Sequence, residues 1–511
     1  MALNGLRICW GVKVRGKKRL ECGETVNNPE IVSEVMKLIN EFLNRIEKHK
    51  NVLLSSETTP FDFAINAVSN WSSKAIVIAK SDEIIMELEL TEHNVGRTMI
   101  ELLSQARERW LEIHRLELEE LIRKLRGNEI SIIITGEPFN SNKSFIVHLY
   151  TIHLAIEIER VAGAKGATIR MSLTGFKGTH IITPKLLDDE KLRAMQYGLL
   201  LTDGSIHEGG YPIMSTSQLW QAVTFTLVFP GKVYAGIIGL SLNEDDVGII
   251  WRLRAVDYRG MFKRKAEVAE RVLELGDEDF MGFLLLAVLC DGDVDVGKRM
   301  IRLTMGGSKR GLWGEVIERL VGYGFREGDG GRRKAYRVWE SKAIAVARKM
   351  LGDSVIRSII ENLSELPDAE KLRRLIGLAD MEVRSLGRSM VEVVDGVWMS
   401  INVYSSGTIQ LRVVRRDYEG ARKIWERLRG VGYDARLRRY GEVFVVRINM
   451  GEVKRHPELA AKVCGLLRGM HEEVLGEGNT RRVQSIAKVM EKLSCQIMSR
   501  SEFEHIRWGS C

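Results

Sequence analysis

Two stretches of this chain close an apolar helix on an acid, and together they constrain what the rest can fold into. The first is QYGLLLTDGSI, residues 196–206, and the second is LLLAVLCDGDV, residues 284–294. Each reads as an apolar helix that stops at Asp-Gly and turns into a strand. Glycine just past the last turn is an ordinary helix stop. The aspartate is not, because the carbonyl end of a helix carries partial negative charge and disfavours a carboxylate. Asp203 and Asp291 each close the most apolar helix of their region. That pairing points to a cation held between them.

The text around the motifs repeats as well. After a helix at about 187–202 come a strand at 211–214, a helix at 218–228, a hairpin with arms 232–242 and 247–256, and a helix at 263–275. The second copy runs as a helix at 278–290, a strand at 299–305, a helix at 311–321, a short hairpin around 328–331, and a helix at 342–351. The order helix, strand, helix, hairpin, helix occurs twice, with the acids 88 residues apart. Repetition of a whole unit is a stronger signal than either motif. The expected fold class is α+β, with a duplicated core of halves 187–276 and 277–352. N- and C-terminal α+β domains are expected to flank it. The N-terminal domain, 1–128, should hold a helix at 29–49, strands at 75–79 and 84–90, and a long helix at 91–126. Its series Met99, Leu103, Ala106, Trp110, Ile113 is coiled-coil-like, which makes self-association through 91–126 an expectation. A strand-rich connecting segment spans 129–186, the C-terminal domain 366–495, and a polar tail 496–511.

Composition narrows the classes. The chain has 511 residues, 45% of them hydrophobic, enough for several cored domains. Its longest apolar run, Met281 to Cys290, is too short for a bilayer, which needs about 20 residues. The first residues lack the basic start and long apolar stretch of a signal peptide, so a cytoplasmic protein is expected. Six cysteines show no CxxC spacing and read as buried thiols rather than disulfides or zinc ligands. Eight prolines and 28% charged residues suit an ion-pair-rich protein of a thermophile. Between Lys298 and Lys349, fourteen Lys/Arg stand against five Asp/Glu, a density that points towards a polyanion. The loop 136–144 fails as a phosphate-binding loop, because its lysine is one position late and no second glycine precedes it. No nucleotide or organic cofactor is expected. His148 and His153 lack a third ligand nearby and read as structural.

The segment GLLLTDGSI resembles the signature helix of the LAGLIDADG homing endonucleases, and LAVLCDGDV is a looser match. The following KRMIRLTMGGSKRGLWGEVIERLVGYGF resembles the continuation in that family, and the likeness covers residues 184–352. In that family two such helices pack side by side through small residues and deliver one acid each to a shared divalent-metal site beneath a DNA-binding saddle. The resemblance implies close approach at Gly198 and Ala287, and Mg²⁺ held by Asp203 and Asp291. Asp293 competes with Asp291 for that role. Lys232 and Lys334 would stabilise the transition state of phosphodiester hydrolysis. Arg252, Arg254, Arg302, Lys309, Arg310, Arg332, Arg333, Lys334 and Arg337 would contact double-stranded DNA.

The whole chain to about Cys495 also resembles the multi-copy PaRep proteins of archaea (second family, b-type). Stretches such as VNNPEIVSEVMKLINEFLNRIE and INMGEVKRHPELAAKVCGLLRGMHEE carry that likeness. That family implies no settled activity. The expected function is therefore DNA binding on a LAGLIDADG-like scaffold, either as a metal-dependent endonuclease or as an inactive descendant of one. The rival is a non-catalytic regulatory or protein-interaction protein of unknown partner.

Overall fold

Small side chains four residues apart decide how the two acid-ending helices meet. The computed structural model describes residues 7–74, 83–161, 166–330, 333–382, 389–476 and 480–495. In it the first helix runs Asp189–Leu201 and the second Asp277–Asp291. Asp188 caps the first, accepting from the Lys191 amide at 2.9 Å, and acids fill the first turn of both. Negative charge there complements the helix dipole. Every side chain from Ala194 to Leu201, and from Phe280 to Leu289, is buried. Helices that are apolar all round belong in a core.

The two helices pack on each other along a seam. A Cβ on Gly198 would overlap the Phe283 carbonyl oxygen and lie 3.0 Å from Leu286 Cβ. One on Gly282 would lie 3.7 Å from Ala194 Cβ. The Thr202 hydroxyl meets the Cys290 thiol. Each of these pairs, Ala194 with Gly282, Gly198 with Leu286 and Thr202 with Cys290, is separated by 88 residues. Equivalent positions thus face one another, as across a two-fold axis. The glycine of the second helix that lies in the seam is Gly282. Ala287, also buried, takes no part in these pairs. Tyr197, beside Gly198, does not wedge the seam open, because its ring turns away onto Phe262 at 6.2 Å.

The repeat extends to the sheets. Adding 88 to the starts of helix Asp189–Leu201, strand Pro212–Thr216 and helix Leu219–Val228 gives the starts of Asp277–Asp291, Met300–Met305 and Gly307–Gly322. The first half has strands Ser205–Ile206, Pro212–Thr216, Gly231–Leu242 and Val247–Ala255. The second has Gly292–Asp295, Met300–Met305, Arg326–Gly330 and Arg333–Trp339. In both, the spatial order is first, second, fourth, third. The halves close with helices Lys265–Leu273 and Glu340–Met350. The second half keeps its own four-stranded sheet.

In the first half the third strand is not an edge. Gly231–Leu242 pairs with Thr168–Leu173 and Thr179–Thr183, and the sheet continues through Leu154–Arg160, Phe145–Tyr150, Ser131–Gly136 and Arg7–Val12 to Glu21–Thr25. One eleven-stranded sheet therefore runs through the stretches expected as 1–128, 129–186 and 187–276. The loop at 136–144 is the turn of a hairpin in this sheet. Helices Pro29–Lys48, Glu83–Arg109 and Leu219–Val228 pack against it. The long helix continues from Glu83–Arg109 through a π-helical turn, Trp110–His114, into Arg115–Arg126. Residues 84–90 are part of it, not a strand. Glu, Met and Leu are strong helix formers, and no turn residue divides them from the helical segment after residue 90. The strand expected at 75–79 and the tail 496–511 lie outside the described residues. Met99, Leu103, Ala106 and Trp110 are buried in this chain's own core. The coiled-coil-like stripe is thus covered from within.

The chain divides into two units, Met1–Met381 and Glu382–Cys511. Helices Ser354–Leu363 and Glu370–Ala379 belong to the first, so the expected boundary near 366 falls at 382. The second unit is a five-stranded antiparallel sheet with helices Tyr418–Gly430, Met450–Arg455, Pro457–Gly476 and Thr480–Lys492. The expectation of free thiols fails for four cysteines. Cys9 bonds to Cys22 and Cys464 to Cys495, each joining elements that tertiary structure brings together.

The seam yields a contrast between its two glycines. Gly198→Ala should destabilise the protein by about 1–3 kcal/mol through overpacking against backbone. Gly282→Ala, which meets only ordinary van der Waals distances, should be neutral or slightly stabilising, since alanine is the better helix former. Thermal unfolding of the two variants checks this.

Candidate functional site

Both acids emerge where the seam ends. The first helix stops at Thr202, whose hydroxyl donates to the Gly198 carbonyl at 2.7 Å, and Asp203 comes next. The second runs two residues further than the equivalent of Leu201, through Asp291 itself. Gly204 and Gly292 have no left-handed φ. They are glycines because a Cβ would lie 2.9 Å from Leu199 O or 2.6 Å from Val288 O. Close approach to the preceding helix turn is their reason, rather than an ordinary left-handed helix stop.

Each acid is held from within its own half by the equivalent residue. Gln221 Nε2 donates to Asp203 Oδ2 at 2.8 Å, and Lys309 Nζ donates to Asp291 Oδ2. Gln221 and Lys309 are the third residues of helices Leu219–Val228 and Gly307–Gly322, and each stands 18 positions after its aspartate. The Thr216 hydroxyl orients Gln221 by donating to Oε1. Asp368 fixes the start of that helix, accepting from the Leu219 amide, and burial raises its pKa.

Two further lysines neutralise the helix ends. Lys265 Nζ donates to Thr202 O at 3.4 Å. Lys371, from helix Glu370–Ala379, donates to Leu289 O at 2.7 Å and Cys290 O at 3.2 Å. Cationic groups on the last carbonyls offset the unfavourable end of the dipole. Burial holds both lysines below the ordinary lysine range, and for Lys265 the neighbouring Lys309 acts in the same direction. Asp203 and Asp291 pull both the other way. Burial pushes the Cys290 thiol up to about 12, which makes it a packing group and not a nucleophile.

Three ammonium groups therefore surround two carboxylates. Asp293 pairs with Arg302 at 2.9 Å and lies 4.0 Å from Arg374, and it too acts on Lys371. Among the described residues no group of three or more His, Cys, Asp and Glu could hold a metal. Mg²⁺ is commonly bound by only one or two carboxylates plus substrate phosphates, so the count of donors does not decide the matter. A divalent ion would have to displace Lys309 from Asp291 and share the space with Lys265 and Lys371. These residues fit an ammonium-balanced acid pair better than a metal centre.

The remaining expected residues are distributed over the two sheets. Arg252 and Arg254 project from strand Val247–Ala255 on the exposed face. Arg254 lies 5.2 Å from the rings of both Tyr211 and Tyr234. Lys232 is on the neighbouring strand, with its amide donating to Asp257. In the second half a row Asp293–Arg302–Arg337–Arg326 crosses the sheet in register. Arg310 and Lys334 both pair with Glu327, at 3.1 Å. Arg333 lies in strand Arg333–Trp339 opposite Gly330, and Arg332 lies outside the described residues. His148 and His153 serve the fold: His148 Nε2 meets the Thr135 hydroxyl at 3.0 Å, and His153 Nδ1 meets Glu117 at 2.6 Å.

Gln221, Lys265, Lys371 and Arg326 are absent from the expected set. The 88-residue offset would have found Gln221 as the counterpart of Lys309. Lys371 lies beyond both repeats, and nothing in its sequence neighbourhood marks it. No protein-family model matches this chain, and no curated protein matches it.

The buried lysines give stability a pH dependence. A lysine with a depressed folded pKa binds fewer protons folded than unfolded, so stability rises with pH from that depressed value up to the ordinary 10.5. Urea unfolding between neutral and alkaline pH should show this rise, and the double variant Lys265→Met, Lys371→Met should flatten it. Lys309 and Asp291 are each 24% exposed, between the surface regime of about 0–1 kcal/mol and the buried one of about 3–5 kcal/mol. Lys309→Met should therefore cost roughly 1–3 kcal/mol. Adding Asp291→Asn should restore part of that loss in a double-mutant cycle.

Proposed function

We propose that this chain binds double-stranded DNA through a duplicated LAGLIDADG-like core, within the archaeal PaRep group, and that its acid pair organises the core instead of holding a catalytic metal. The observation that carries this reading is the exposed face of each half's sheet. On the first half, Arg252 and Arg254 make no ion pair among the described residues. On the second, the arginine row begins at Asp293, two residues past the acid seam. Two pseudo-symmetric halves with cationic sheet faces suit a duplex, whose phosphates supply affinity and salt dependence.

In this reading Asp203 and Asp291 each tie the end of a seam helix to the next helix of the same half, through Gln221 and Lys309, and the lysines remove the cost of placing acids at helix C-termini. The endonuclease alternative keeps both acids as Mg²⁺ ligands and requires Lys309 to leave Asp291. The interaction-protein alternative would need a surface other than the stripe Met99, Leu103, Ala106 and Trp110, which is buried in this chain's own core.

Duplex retention across a salt series, with plasmid nicking in Mg²⁺ and Mn²⁺, tests the proposal. The expected outcome is salt-dependent binding without cleavage, and a log–log salt slope reduced by about 2 in Arg252→Gln, Arg254→Gln. Asp203→Asn, Asp291→Asn should not change nicking. Metal-dependent nicking abolished by that double variant would establish the endonuclease instead. Absence of retention at low salt would remove DNA binding altogether.

A further inference from the structure

The second unit carries a surface that the first unit's function does not use. Its strands lie in the order Met390–Val394, Val397–Tyr404, Thr408–Arg415, Val443–Asn449, Arg436–Tyr440. One face is the core: Met399, Ile401, Leu411, Val413, Val446 and Ile448 are buried beneath the helices. Side chains alternate along a strand, so the other face takes every second residue. A soluble sheet usually makes that face plainly polar. Here polar residues such as Ser400, Asn402 and Gln410 share it with exposed aromatics and a set of arginines.

Register fixes the pattern. Arg412 lies opposite Arg447, which lies opposite Arg436, so three arginines cross three adjacent strands in one row. Beside it runs a second row, in which Val414 faces Val445 and Val445 faces Arg438. Trp398, two residues before Ser400 on the strand where Ser400 pairs with Arg412, continues this row, with Glu392 opposite it on the outer strand. Tyr440 stands at the same end of the sheet, two residues beyond Arg438, and its hydroxyl accepts from Arg447 at 3.3 Å. Trp398 and Tyr440 are each 49% exposed and Val414 is 42% exposed. Arg412 and Arg438 make no ion pair among the described residues, and Arg436 has only Asp434 at 3.8 Å. Like charges directly opposite one another destabilise a sheet. An arginine row of this kind calls for a compensating anion.

We infer that this face binds single-stranded nucleic acid, with bases stacked on Trp398 and Tyr440 and phosphates on the row Arg412–Arg447–Arg436. The chemistry selects that occupant over others. Unpaired bases offer π faces to aromatic side chains, and stacking tolerates any sequence. Open sheets with exposed aromatics take two or three bases in this way. A duplex hides its base faces, and its major groove admits a helix or a two-stranded ribbon but not a five-stranded sheet. The inference is independent of the function proposed for the first unit.

The test is fluorescence anisotropy of labelled oligothymidylate and oligouridylate with the full chain, beside a labelled duplex. The wild type should bind the single strands at low salt. Trp398→Ala, Tyr440→Ala should weaken that binding roughly 5- to 100-fold and leave duplex binding unchanged. Trp398→Phe should retain most of the affinity, which separates stacking from a folding defect. Arg412→Gln, Arg436→Gln should lower the single-strand salt slope by about 1.4. No binding of either oligonucleotide at low salt overturns the inference. So does binding that the aromatic pair does not affect, or equal weakening of the duplex. Losing Arg252 and Arg254 should affect only the duplex, so failure here and failure of the first unit's proposed function are distinguishable.

Discussion

The first unit depends on one contact, the packing of Gly198 onto the backbone of the second seam helix at Phe283. Helices pack this closely only where one of them lacks a side chain. The approach brings Ala194 against Gly282 and Thr202 against Cys290, so residues 88 apart meet along the whole seam. Two copies of a unit that face each other through equivalent residues have their sheets and helix ends related by the same operation. The position of both acids is a consequence. So is the matching geometry by which Gln221 and Lys309 reach them.

Charge explains why the acids are tolerated. A carboxylate at a helix C-terminus and partly out of water is unfavourable twice over, through the dipole and through desolvation. Lys309, Lys265 and Lys371 answer both costs, and they come from three separate helices. The lysines bear a cost of their own, visible as the depression of Lys265 and Lys371 by burial. The arrangement works because the opposite charges share it. It also ties the closing helices to the seam: helix Glu370–Ala379 supplies Lys371, and Asp368 just before it caps the helix that carries Gln221. Residues outside the repeats thereby fix the geometry within them.

Much of this was legible from residue order alone, and the failures have physical causes. The recurring order of elements was readable because helices, strands and turns return at one offset, and periodicity is a local property. The hairpin arms at 232–242 and 247–256 fall almost where alternation placed them. Long-range events were not readable. Nothing local announces that Gly231–Leu242 extends into an eleven-stranded sheet, or that Cys464 meets Cys495. Residues 84–90 have an alternation that suits a strand, and helix propensity with an adjoining long helix overrode it. The acids stand out by their odd position at helix ends, whereas their side-chain partners needed the fold. Lys309 was expected on phosphates and is found on Asp291. A lysine cannot be assigned to an external anion until the internal ones are located.

The account's central claim is that equivalent helix ends meet across the seam, and a cross-link tests it most directly. Thr202→Cys places a thiol beside the Cys290 side chain, at positions 88 residues apart. Refolded from denaturant in a glutathione redox buffer, where both thiols are accessible before the seam closes, the variant should form an intramolecular 202–290 disulfide, seen by peptide mapping. The bond should be absent when Cys290→Ser is added. A folded variant in which residues 202 and 290 stay unlinked would contradict the seam and the placement of both acids.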